Sequence, residues 1–480
     1  MPTTRYLDDD FLLHTAAARA LYHEFAHTAP VIDYHNHLSP RQIAEDAQFA
    51  TITALWLAHD HYKWRLMRAH GIDERFITGS ASDEEKFVAW AETVSHAVRN
   101  PLFDWTHLEL KRYFGIHCLL SKANARAVYK ECNAMLREKK FSAKNLLRTM
   151  KVKVLCTTDD PADDLAFHAR LHREKFEVTV LPTFRPDKVL TVGNPASFNT
   201  YVATLSAASG ITITGWDSLV KALDIRHRYF HDHGCRCADF SLAVMPYEPC
   251  TARQLKAILS LLCAGKTPSP LDCARYTTEL MRALCTLNHQ RGWVQQMHFG
   301  VTRNARARLF STCGPDAGGD CMGDCSNSQS LCRFLDSLDE AGHLAKTILY
   351  NINPRDNELF TTIAGSFQDG TVPGKMQFGP AWWFMDHKDG MIRQLNALSS
   401  SGMLSGFIGM TTDSRSLLSF VRHEYFRRIL CNLIGGEMER GEVPSDQTLM
   451  GGLVQDICFN NAQRYFNFPV FTTKKAGKKA

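Results

Sequence analysis

Apolar residues in this chain fall in short unbroken runs, each about one strand long, separated by longer stretches with helical spacing. The first run is Val31-Ile32, leading into Asp33-Tyr34-His35-Asn36-His37-Leu38. Further runs lie at 151–161, 177–186, 235–244, 292–301, 345–354, 375–384 and 407–415. They do not alternate apolar with polar, which predicts strands buried on both faces and hence a parallel sheet covered by helices. Several end in a polar or charged residue before proline, as in Asp160-Pro161, Arg185-Pro186 and Asn353-Pro354. Eight such units predict an α/β chain folded as a distorted (β/α)8 TIM barrel, with functional groups at the C-terminal strand ends.

The interval from Leu38 to Met150 is too long for one strand-to-strand connection. It predicts a mostly helical insertion after strand 1, including 86–98 and 123–137, packed over the barrel mouth. The expected organisation is therefore an N-terminal helix and first strand (1–38), the insertion (39–150), the rest of the barrel (151–470) and a basic tail (471–480). A second elaboration at 303–327 is rich in Gly, Asp, Cys and Ser and reads as a long functional loop. No Gly-x-Gly-x-x-Gly turn follows the first strand, which removes the main support for a dinucleotide domain.

Composition narrows the class. The chain has 480 residues, 45% of them apolar, enough to bury a large core. A net charge of +5 against 55 basic and 50 acidic residues argues against a protein built around nucleic acid or a membrane surface. No run reaches the roughly 18 apolar residues of a membrane span, and the first residues carry no apolar signal core, so a cytoplasmic location is expected. Fifteen cysteines, an odd count without a Cys-x2-Cys unit, read as reduced thiols, including those of the 313–332 loop region. Oligomeric state is left open, with a homo-oligomer among the options.

The chemistry concentrates at the two ends of the chain. On a strand, residues two apart point the same way, so His35 and His37 project together, as do Asp413 and Arg415. Two imidazoles and a carboxylate suit one divalent metal such as zinc. If the two segments are neighbours in a closed barrel, that ion ties the first strand to the last. Other strand ends offer Arg185, Asp239, His298, Trp382 and Trp383, and the insertion adds His59-Asp60-His61-Tyr62-Lys63-Trp64. Singly, each has an ordinary structural explanation: His298 as a strand residue with a backbone hydrogen bond, Trp382 as core, His61 and Tyr62 as a helix end. Together they outline a site with a Lewis acid, Asp413 as base, Tyr62 as proton donor, and Arg185 and Arg415 as carboxylate partners. Such a set suits enediol chemistry on an acidic sugar and equally suits metal-dependent hydrolysis of a small anion; spacing does not decide.

The same segments resemble the uronate (glucuronate) isomerase family of the amidohydrolase superfamily. The carriers include Asp33-Tyr34-His35-Asn36-His37-Leu38, Asp60-His61-Tyr62-Lys63-Trp64-Arg65, Leu181-Pro182-Thr183-Phe184-Arg185-Pro186-Asp187, Gln377-Phe378-Gly379-Pro380-Ala381-Trp382-Trp383 and Thr412-Asp413-Ser414-Arg415-Ser416. The resemblance spans nearly the whole chain. It implies interconversion of D-glucuronate with D-fructuronate and of D-galacturonate with D-tagaturonate, on a small hexuronate substrate. It implies one divalent metal, usually zinc, on His35, His37 and Asp413. Asp413 and Tyr62 would move the proton between C2 and C1 through a cis-enediol, with His61, Arg185, His298, Trp382 and Arg415 around the substrate. The chain departs from the family pattern at Phe240 and Arg306, which touches substrate preference more than the reaction.

Overall fold

A computed structural model describes residues 6–469; the basic tail at 471–480 lies outside the described residues. Seven parallel strands carry the architecture, with a short antiparallel pair inserted among them. They are β1 (Val31–Asp33), β2 (Val152–Cys156), β3 (Thr179–Leu181), β4 (Cys237–Leu242), β5 (Val294–Phe299), the pair β6 (Val301–Thr302) and β7 (Cys321–Met322), β8 (Lys346–Asn351) and β9 (Met376–Phe378). One parallel sheet runs β1-β2-β3 and another β4-β5-β8-β9. Isolated parallel bridges from Phe184 to Asp159 and Ala238 connect the end of β3 to β2 and β4. The strands are almost wholly buried, matching runs that do not alternate apolar with polar residues. Helices occupy nearly every connection, giving a mixed α/β protein with parallel sheets.

The eighth expected strand, 407–415, is the main departure: it forms no ladder. Its backbone explains why. Gly409 has φ +77°, and a Cβ there would sit 2.3 Å from the carbonyl oxygen of Ile457. Asp413 has φ +47°, a left-handed conformation that a non-glycine residue seldom adopts. The segment still meets β1 through separate bonds. Tyr34 Oη donates to Gly409 O (2.7 Å), Asp413 N to His35 O (3.1 Å) and His37 N to Ser414 O (2.9 Å).

The stretch between β1 and β2 is mostly helical, with helices at Pro40–Ala44, Ile52–Trp56, His61–Ala69, Asp83–Ser95, Pro101–Phe114, Ala125–Leu136 and Ala143–Thr149. Asp60 caps the third of these, accepting from the backbone N–H of Tyr62 and Lys63, and so fixes where His61 and Tyr62 project. No helix among the described residues is long and apolar enough to cross a membrane. All fifteen cysteines are free.

Candidate active site

A cavity of about 530 Å³ opens at the C-terminal ends of the strands. His35, His37, His61, Arg185, His298, Trp382, Asp413 and Arg415 all line it. Of the residues singled out in the sequence, Tyr62, Asp239 and the neighbours His59, Asp60, Lys63 and Trp64 do not line it; Asp239 lies behind it, paired with Arg185 and His298. Tyr62, whose place matters most, lines two neighbouring cavities, one of which it shares with Asp413 and Arg415.

The metal-ligand expectation can be tested on geometry. His35 Nε2 and His37 Nε2 each lie 3.1 Å from Asp413 Oδ1. Ligand atoms held tetrahedrally about zinc at roughly 2.0–2.1 Å lie about 3.3 Å apart, so this spacing fits one ion. His35, His37 and Asp413 are one of two groups among the described residues whose ligand atoms converge closely enough to hold a cation. The other, His35, Asp239 and His298, shares His35 and is fully buried. Electrostatics favours the same conclusion. Burial opposes a charge on His35, yet Asp239 and Asp413 outweigh it and raise its pKa, so the surroundings call for a positive charge at this point. Burial pulls His37 down to about 4, keeping it as the neutral imidazole a metal needs. Burial works against the Asp413 carboxylate, but bonding to His35 and His37 prevails and holds it well below the usual range.

The carboxylate of Asp413 is divided between two tasks. While Oδ1 faces the histidines, Oδ2 accepts from Trp382 Nε1 at 2.9 Å. The left-handed backbone beneath it is fixed by a buried clip. Asp33 Oδ1 accepts from Thr412 N (2.7 Å), and Oδ2 accepts from Thr412 Oγ1 (2.7 Å) and Asn36 Nδ2 (2.9 Å). His423 Nε2 lies 3.2 Å from Oδ1, and Arg422 Nη1 donates to Thr412 O at 3.0 Å. Asp33 and its partners join the segment carrying His35 and His37 to the segment carrying Asp413. Sequence reasoning missed this role, although Asp33 sits directly before the histidine pair.

Around the substrate-sized space, His298 stacks on Tyr350 (centroids 4.1 Å apart), and its Nδ1 is 2.8 Å from Asp239 Oδ1. Arg185 is held between two carboxylates, Asp239 and Asp187, each at 2.8 Å. Arg415 Nη1 donates to His61 Nε2 at 3.1 Å. That bond suits a neutral imidazole, and burial with the nearby Arg415 lowers His61 to about 4. Burial, reinforced by Asp386 and Asp413, raises the Tyr62 phenol well above its ordinary value, so it keeps its proton. The 303–327 stretch, expected as a functional loop, brings Arg303, Asn304, Pro315, Asp316 and Asp320 into the cavity wall. Phe240, a departure from the family pattern, is buried in the hydrophobic core and does not face the cavity.

Comparisons with known proteins identify the family. The family model for glucuronate isomerase matches residues 3–466. The uronate isomerase of Cellvibrio japonicus is 49% identical over 97% of this chain and 99% of its own. That of Opitutus terrae is 49% identical over 96% of this chain and 97% of its own. Among solved structures, uronate isomerase from Thermotoga maritima superposes with a TM-score of 0.91 at 34% identity, covering 96% of this chain and all (100%) of that one. Glucuronate isomerase from Caulobacter crescentus, at 22% identity, shares the fold with a TM-score of 0.89 over 96% of this chain and 97% of its own. By sequence along almost its entire length, the chain belongs to the glucuronate (uronate) isomerase family of enzymes.

Proposed function

We propose that this enzyme interconverts D-glucuronate with D-fructuronate and D-galacturonate with D-tagaturonate by moving one proton between C2 and C1. The observation that carries the reading is the Asp413 carboxylate, with one oxygen toward His35 and His37 and the other held by Trp382. His35, His37 and Asp413 would hold one divalent ion, zinc by the chemistry of the donor set. When bound, the ion supplies Lewis-acid polarisation of substrate oxygens.

The chain's own groups account for the proton movements. Asp413, ionised, removes the C2 hydrogen of the open-chain aldose through Oδ2 while Tyr62, protonated, gives its phenolic proton to O1. The product of that half-reaction is a cis-enediol. Asp413 then returns its proton to C1 and Tyr62 takes the O2 proton, leaving the carbonyl at C2 and both residues as they began. Tyr62 lines the small neighbouring cavity that it shares with Asp413, and under this reading its phenol turns from there toward O1. His61, neutral, orients Arg415, while Trp382 and His298 form the wall beside the sugar.

The architecture under this reading is a closed, distorted (β/α)8 barrel. The bridges at Phe184, the bond from Gln377 Nε2 to Gly406 O (3.1 Å) and the bonds between 34–37 and 409–414 support closure at its three unladdered seams. Residues 39–150 then serve as an insertion over the mouth, from which His61 enters the cavity. Turnover of D-glucuronate and D-galacturonate by the metal-replete enzyme, followed by NMR of the ketose products, tests the function. Absence of both ketoses would defeat it and leave the alternative, metal-dependent hydrolysis of a small anion, to be tested.

A further inference from the structure

The proton transfers set out above move one negative charge across the site. At the start Asp413 is a carboxylate and Tyr62 a phenol. At the cis-enediol Asp413 holds the C2 proton, and Tyr62, having given its proton to O1, is a phenolate. The second half-reaction returns the charge to Asp413. The Asp413 end of this path is provided for by its bonds to His35 and His37. The Tyr62 end is buried, and an uncompensated anion in the interior is costly. Of the charges acting most strongly on the phenol, Asp386, Asp413 and Asp60 oppose an anion there and Arg422 favours it.

Arg422 is placed for that part. It enters, fully buried, from the first turn of the helix Val421–Arg440. Its guanidinium lies over Trp105, 4.0 Å from the ring centroid, and Nη1 donates to Asp386 Oδ2 (3.2 Å) and Thr412 O (3.0 Å). The charge is 5.3 Å from the centroid of the Tyr62 ring, within cation–π range. Arg422 and Tyr62 both line the small cavity that Asp413 shares. Arg422 Nε and Tyr62 Oη are both buried and bonded to no protein group, an exception among buried polar atoms that calls for an explanation. Lys63, also buried, is taken up by Asp60 at 2.6 Å. Burial works against the Arg422 charge, but Asp386, Tyr62, Asp60 and Glu109 prevail and keep it protonated.

We propose that Arg422 is the counter-ion of the Tyr62 phenolate, held in position by Asp386 and Trp105. The inference rests on the proton transfer by Tyr62 in the proposed function and adds Arg422 and Asp386 to it as positioning residues. They act through Tyr62, and neither lines the main cavity. At rest the Asp386 carboxylate balances the guanidinium, so the phenol keeps its proton. When the phenol gives that proton up, the cation is already beside it, and no reorganisation is needed as the charge develops.

The test is a double-mutant cycle on the full-length, metal-replete enzyme: wild type, Arg422→Met, Tyr62→Phe and the two combined. Losing Arg422 leaves the buried Asp386 unpaired, so thermal melting checks each variant first. If Arg422→Met does not fold, Arg422→Met with Asp386→Asn replaces it in the cycle. With D-glucuronate, Arg422→Met should lower kcat about 100-fold, the scale of losing one group that stabilises a developing anion, and KM should stay within about twofold. In the Tyr62→Phe background no phenolate forms, and the same substitution should cost less than about threefold. A packing role, or the lost bond to Thr412, would cost the same factor in both backgrounds. Equal losses, or an unchanged kcat in Arg422→Met, would therefore overturn the inference while the proposed function stands. A wild type that forms no ketose, or a Tyr62→Phe enzyme with full activity, would overturn the proposed proton transfer, and this inference would fall with it.

Discussion

Asp33, buried behind the cluster of His35, His37 and Asp413, and Asp316, in the cavity wall, are two carboxylates that do opposite work. Asp33 is fully buried, and its two oxygens are filled by Thr412, Asn36 and His423 at 2.7–3.2 Å. Asp316 is half exposed, and its oxygens face Arg415 and Arg303 at 3.4 and 3.6 Å. In the interior, where water cannot compete, a fully satisfied carboxylate network has a single good arrangement. At the rim, solvent screens the ion pairs and their geometry is exchangeable. The Asp33 network is thus built to hold atoms still for chemistry, whereas the long, half-exposed Asp316 pairs are readily rearranged.

Four substitutions would break or sharpen this contrast, in falling order of effect. Asp413→Asn should lower turnover by about three orders of magnitude, because both the metal and the proton transfer depend on that carboxylate. Steady-state kinetics with the metal content measured alongside would check it. Asp33→Asn replaces an acceptor oxygen with a donor opposite Thr412 and His423, so the Asp413 backbone loses its clip. Metal affinity, read by chelator competition, should weaken about 10- to 100-fold, as for other groups that orient ligands, whereas Asp316→Asn should leave it unchanged. Equal metal affinity in the two variants would erase the distinction between the two carboxylates.

A third substitution probes burial away from the site. His227 is fully buried, stacks on Trp293 at 3.6 Å and bonds Asn288. Burial lowers its pKa to about 3. The unfolded chain, with an ordinary value near 6.5, takes up a proton before the folded one does. Its effect on stability is therefore absent above about pH 6.5 and grows as pH falls toward 3, reaching about 2 kcal/mol at pH 5. His227→Gln should flatten the decline of the melting temperature between pH 7 and 5. Asp316→Asn, the smallest effect on folding, should leave that slope as it is.

The sequence exposed the parts of this design that have local signatures. Parallel strands were legible because burial on both faces removes the apolar–polar alternation of a one-sided sheet. The pairs His35/His37 and Asp413/Arg415 were legible as metal- and anion-binding residue types beside apolar runs, although the strand rule that grouped them does not apply: β1 ends at Asp33 and Asp413 has a left-handed backbone. What escaped were features set by tertiary contact. The 407–415 segment reads as a strand by its apolar run, but contact with Ile457 requires Gly409 and a positive φ, which breaks the ladder. Arg185 reads as a free carboxylate partner until the fold brings Asp239 and Asp187 to it. Arg303 and Asp316 lie in a loop of no regular pattern, and only the packing of that loop against the helix His61–Ala69 brings them to Arg415.

The most direct test of the central claim is to incubate the metal-replete enzyme with D-glucuronate in deuterated water and follow C2 and C1 by NMR. The account predicts D-fructuronate formed with loss of the C2 hydrogen and with a new hydrogen, from C2 or from solvent, at one prochiral position of C1. It predicts that Asp413→Asn fails to produce this signal at a comparable rate. No ketose from the wild type, or the same rate from Asp413→Asn, would contradict it.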